Sequence, residues 1–82
     1  MNQAEIKNAV VEALRSVAPE CDPSALDDAA PLRDALDLDS MDFLNFVIAL
    51  HRTLQVEIPE ADYRKVQTLG GAVAYIQSKI PS

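Results

Sequence analysis

Ser40 stands between Asp39 and Asp42, where a loop gives way to an apolar helix. An Asp followed three residues later by a second acid, just ahead of Phe43 and Leu44, is a helix-start signal. With Asp39 as N-cap, Asp42 falls at the third helical position, where its charge meets the positive end of the helix dipole. Ser40 is then the first helical residue, its hydroxyl free of capping duty and exposed at the helix mouth. The local pattern equally allows Ser40 to cap and Asp39 to be a loop residue. In the first arrangement the hydroxyl has no base of its own, so it reacts only when a partner supplies one.

The rest of the chain offers no catalytic apparatus to complete that serine. The single histidine, His51, lies three turns further along the same helix, beyond hydrogen-bond reach, so it forms no Ser-His pair. It reads as a partly exposed boundary residue. No His/Cys cluster has zinc spacing. A calcium loop opening at Asp37 and Asp39 fails, because its glycine falls at Asp42 and its closing Glu at Ile48. A phosphate-cradling glycine loop is missing. The expectation is a protein that is not an enzyme and holds no metal.

Length and composition set the elements that must position Ser40. Eighty-two residues with 49% hydrophobic content fit one small domain over residues 1–82, with a modest core. Few aromatics and two glycines lean towards helices. Lone Cys21 makes no internal disulfide, and no stretch reaches membrane-spanning length or resembles a secretion leader. A cytoplasmic monomer is the default, and the opening Met1 with no linker favours a free-standing protein. Charge is uneven: from Glu20 to Asp42, eight acids face one base, Arg33, while the whole chain carries −6. Nucleic acid is disfavoured as a partner, and a basic protein surface is favoured.

Along the chain, Asn2 and Glu5 make a capping pair for a first helix with the stripe Ile6, Val10, Ala13, Leu14 and Val17, ended by Pro19. A loop of some twenty residues follows, tied down by Leu26, Leu32, Leu36 and Leu38, with a short helical turn near Leu32–Leu36 and a turn at Asp22-Pro23-Ser24. In the helix from Ser40 to about Leu54, Phe43, Leu44, Phe46, Val47, Leu50 and Leu54 fall on the core arc. Met41, Asp42, Asn45, Ile48, Ala49 and Arg52 fall opposite. The apolar members Met41 and Ile48 mark either a docking face or a wide core seam. Pro59 suits the first turn of a short third helix through Val66. Thr68 caps a last helix with the stripe Leu69, Val73, Ile76 and Ile80, in which Gly70-Gly71 permits close approach. Tyr63 and Tyr75 read as partly buried with surface hydroxyls. The fold class is all-α: a four-helix bundle with one short helix and a long loop between the first two.

From Leu32 to Ile76 the sequence resembles an acyl carrier protein. The resemblance rests on Asp39-Ser40-Met41, the apolar helix ending at Leu54, Val56-Glu57-Ile58-Pro59 and the closing Leu69-to-Ile76 stripe. It implies that Ser40 carries a 4′-phosphopantetheine arm, installed from coenzyme A by a magnesium-dependent phosphopantetheinyl transferase. Acyl groups would ride on the arm's thiol as thioesters while loading and processing enzymes act on them. Asp39, Met41 and Asp42 would be recognition neighbours, with Asn45, Ile48 and Arg52 completing a partner face. Five positions depart from the family pattern: Asp37 where glycine is frequent, Met41 where leucine is common, and Asn45, His51 and Arg52 on a helix face that is usually acidic. Partners of housekeeping fatty-acid carriers rely on that acidity. The departures therefore imply a specialised fatty-acid, lipid or polyketide pathway. Two other readings stand beside it: an unmodified acidic interaction module, and a peptidyl carrier, against which Asp39 rather than histidine before Ser40 argues.

Overall fold

Asn2 starts the first helix with a reciprocal cap. Its side chain accepts the Glu5 N–H at 2.9 Å, and the Glu5 carboxylate accepts the Asn2 N–H at 3.1 Å. From this start α1 runs over Gln3–Val17 and buries Ile6, Val10, Ala13 and Leu14, ending just ahead of Pro19. The computed structural model describes residues 2–20, 22 and 26–80. The expected turn at Asp22-Pro23-Ser24 and the environment of Cys21 therefore lie outside the described residues.

The described part is all helical: α1, a single turn α2 (Leu32–Ala35), α3 (Ser40–Leu54), a 3-10 helix (Glu60–Val66) and α4 (Leu69–Lys79). This is the expected bundle, with a short member and a long first crossover that carries one extra helical turn. One cluster forms the core, with Leu14, Leu32, Phe46, Leu50, Leu69 and Ile76 essentially inaccessible. Truncating any of these to alanine costs about 2–5 kcal/mol, since close packing leaves a cavity.

The crossover is held by leucines and by backbone. Leu32 and Leu38 are buried, Leu26 and Leu36 half-buried. The Leu32 N–H donates to the Gln67 carbonyl at 2.7 Å, and the Gly70 N–H donates to the Asp28 carbonyl at 3.0 Å. Such bonds settle polar backbone that a packed loop would otherwise strand. They also explain the glycine pair. A Cβ on Gly70 would lie 3.2 Å from the Asp28 carbonyl oxygen, and one on Gly71 only 2.7 Å from that of Lys65. The close approach is real, but it is made to a loop and to the 3-10 helix rather than to a long helix.

Several details differ from the sequence reading. Pro59 is the N-cap of the third helix, outside its first turn, and that helix is 3-10. Ile80 lies past the end of α4 as its C-cap and is only half-buried. Tyr75 is more buried than expected, at 7% exposure, and its hydroxyl donates to half-buried Asp62 at 2.7 Å. Burial, reinforced by that carboxylate, pushes the Tyr75 hydroxyl up to about 12. The same hydrogen bond, with Lys65 beside it, holds Asp62 below the usual carboxylate range. Tyr63 is half-buried as expected, its ring edge-on to Phe43 with centroids 6.2 Å apart.

Candidate functional site

The approach to Ser40 is built by the end of α2. Asp37 adopts a left-handed conformation, φ 54°, and the Leu38 N–H reaches back to the Arg33 carbonyl at 2.9 Å. This is the six-to-one hydrogen bond of a Schellman ending, with Asp37 where glycine is usual. An aspartate tolerates that conformation better than most residues. Leu38 is then buried, so the chain enters α3 from an anchored residue.

Asp39 is the N-cap of α3. Its carboxylate accepts the Asp42 N–H at 2.8 Å, and the Asp42 carboxylate faces the Asp39 N–H at a weaker 3.5 Å. The reading in which Ser40 caps is thereby overturned. Ser40 is the first helical residue and is exposed. Its hydroxyl is not free, however: the Arg33 guanidinium donates to Ser40 Oγ at 3.3 Å. The other serines described in helices are turned inward on their own backbone, Ser16 to the Ala13 carbonyl and Ser78 to the Tyr75 carbonyl, both at 2.6 Å.

A general base does not reach this serine from within the helix. His51 lies eleven residues on, about 16 Å along the axis, and its Nδ1 sits 3.0 Å from the Val56 carbonyl. That carbonyl can only accept, so Nδ1 carries the proton. Among the described residues, no group of three or more His, Cys, Asp or Glu side chains could hold a metal ion. None of the described helices is long and apolar enough to cross a membrane.

The remaining predicted residues share one face of α3. Met41 is 65% exposed, Ile48 41%, and Asn45 and Arg52 are exposed on the same side. Leu44 joins them at 37% exposure, although the sequence places it on the core arc. It sits one residue past buried Phe43, so it is turned about 100° from the centre of the buried face. Ala49, expected outside, is half-buried against the core at the opposite edge. Met41, Leu44 and Ile48 thus form an apolar stripe at i, i+3 and i+7. Asp42, by contrast, is half-buried by its capping role. Sequence reasoning missed Leu44 and Arg33; the available signal for Arg33 was its position as the lone base among the acids.

The family model for the phosphopantetheine attachment site matches residues 6–76. An acyl carrier protein of Lactobacillus acidophilus is 31% identical over 78 residues, covering 95% of this chain and 96% of that one. The chain belongs to the acyl carrier protein family. A second acyl carrier protein, from Lactobacillus johnsonii, is 51% identical over 43 residues, about half of either chain (52% and 54%). The solution structure of a candidate acyl carrier protein from Anaplasma phagocytophilum superposes with a TM-score of 0.84 at 27% identity, covering 100% of this chain and 96% of that one. Acyl carrier proteins are carriers rather than enzymes, and the prosthetic group of the family is 4′-phosphopantetheine. The residues around Ser40 suit such a group: an exposed first helical position, a helix dipole that favours anions although Asp39 and Asp42 offset part of it, and a guanidinium alongside.

Proposed function

We infer that Ser40 is the attachment point of 4′-phosphopantetheine, and that residues 1–82 act as one carrier domain for acyl groups of a dedicated fatty-acid, lipid or polyketide pathway. The observation that carries this reading is the division of labour at the start of α3. Asp39 takes the capping role and leaves Ser40 exposed on a rigid first turn with no internal base. In the transfer, a base of the phosphopantetheinyl transferase takes the Ser40 proton, and a bond forms from Oγ to phosphorus. The pyrophosphate P–O bond of coenzyme A breaks, and adenosine 3′,5′-bisphosphate leaves. The attached arm supplies a terminal thiol on which acyl groups are held as thioesters.

The partner face follows from the same helix. Asp39 and Asp42 flank the serine, while Met41, Leu44 and Ile48 offer apolar contact bordered by Asn45 and Arg52. Enzymes that load and process the acyl group would meet this surface, with the transferase reading its serine end. Charge changes sign along α3, from Asp42 in the first turn to Arg52 in the last. Such a pattern orients a partner as well as attracting one. The carrier proposed is cytoplasmic and monomeric, with its own enzyme set. The exposed apolar stripe also favours one alternative, an unmodified module that docks a protein through Met41, Leu44 and Ile48.

Intact mass separates the two. After incubation with coenzyme A, magnesium and a broad-specificity transferase, the carrier gains the mass of one arm, and the Ser40→Ala variant gains none. An unchanged wild-type mass with several transferases makes the docking module the working view.

A further inference from the structure

We propose that Arg33 receives the phosphodiester once Ser40 is modified and so positions the base of the arm; this rests on the carrier reading of Ser40. The argument begins with what Arg33 does not do. Asp34, Asp37, Asp39 and Asp42 surround it in sequence, yet among the described residues no carboxylate lies within ion-pairing distance, 4.0 Å, of its guanidinium. The guanidinium is spent instead on a neutral hydroxyl, Ser40 Oγ at 3.3 Å. A single hydrogen bond to a hydroxyl uses little of a planar fork with five donors.

The backbone beneath Arg33 is fixed. Neighbouring Leu32 is fully buried and its N–H is held by the Gln67 carbonyl. The Arg33 carbonyl itself accepts the Leu38 N–H, which ties this residue to the strand of chain entering α3. The side chain is therefore aimed at the serine by a hydrogen-bonded turn, although it is exposed.

Esterification changes what the guanidinium meets. Oγ becomes the bridging oxygen of a phosphodiester whose charged oxygens lie two bonds away. Those oxygens match the guanidinium fork in shape and sign, whereas the hydroxyl matched neither. Without Arg33 the new negative charge would be set among the carboxylates of residues 34, 37, 39 and 42, with only the α3 dipole to offset them. Arg33 thus acts as a positioning residue for the arm and as the local counter-charge that makes an acidic loop tolerate it.

The test compares apo and modified forms of the full chain by urea denaturation and by the Arg33 Nε–H signal in 15N-resolved NMR. The variants are Arg33→Gln and Arg33→Lys, with modification verified by intact mass. The apo midpoints of wild type and Arg33→Gln should agree closely. The modified Arg33→Gln should fall below modified wild type by about 0.3 M urea, a difference that shrinks at about 1 M salt. Arg33→Lys, with charge but no fork, should lie between them. The Arg33 Nε–H signal should move on modification of the wild type. Complete modification with an unmoved signal and equal apo-to-modified differences in all three chains overturns the role of Arg33 and leaves the carrier reading intact. A wild type that gains no mass overturns both.

Discussion

The cap on α3 decides how Ser40 is presented, and the two halves of that cap are unequal. Asp39 accepts the Asp42 N–H at 2.8 Å, whereas the reverse contact spans 3.5 Å, beyond good hydrogen-bond length. Asp39→Ala removes a full N-cap, which costs about 1 kcal/mol, together with a favourable charge at the positive end of the helix, worth about 0.5 kcal/mol. Asp42→Ala loses the long contact and its own charge, about 0.5 kcal/mol in sum. Asp39→Asn keeps the acceptor and loses only charge, so it should cost about 0.3 kcal/mol. For a domain of this size, urea unfolding has a slope of about 1 kcal/mol per molar. Asp39→Ala should therefore lower the midpoint by about 1–1.5 M, Asp42→Ala by about 0.5 M and Asp39→Asn by about 0.3 M. Ser40→Ala, which touches no cap, should move it by no more than a few tenths of a molar. Equal losses for Asp39→Ala and Asp42→Ala would refute the reasoning. A loss at Ser40→Ala as large as at Asp39→Ala would show that the serine caps after all.

Two other outcomes follow from the same residues. Tyr75 ionises at 10.0 when unperturbed and at about 12 in the folded chain, so its stabilisation is complete below pH 10 and lost as pH rises towards 12. Tyr75→Phe should flatten the fall in urea midpoint between pH 9 and 12, and identical slopes in the two proteins would contradict it. On the partner face, Arg52→Glu gives the exposed side of α3 the acidity typical of the family and should raise the rate of loading by generic fatty-acid enzymes, measured as acylated product over time. An unchanged rate would mean that Arg52 does not govern the choice of partner.

Local rules made much of the molecule legible. The caps at Asn2, Asp39 and Thr68 are contacts between neighbours three residues apart, and their partners are present in the sequence itself. Helical periodicity likewise marked the buried stripe of α1, where four of five expected residues are fully buried and Val17 is half-buried at the helix end. Periodicity was weaker at the edges of a face. Leu44 and Ala49 both lie about 100–120° from the centre of the buried arc of α3, where hydrophobicity alone cannot say which edge a neighbour covers.

The sequence by itself determined the all-helical class, the extent of α3 to within a residue, and the serine at its mouth, because each depends on spacing within one segment; which of Asp39 and Ser40 caps was left to the structure. Tertiary structure alone decided what that serine touches. Arg33 is seven residues away and reaches Ser40 only because α2 turns back through the left-handed Asp37 and is pinned to Gln67 near the start of α4. The same holds for Tyr75 and Asp62, thirteen residues apart, and for the carbonyl of Lys65 pressed against Gly71. Contacts of this kind are set by how elements dock, and a one-dimensional pattern carries no record of docking geometry.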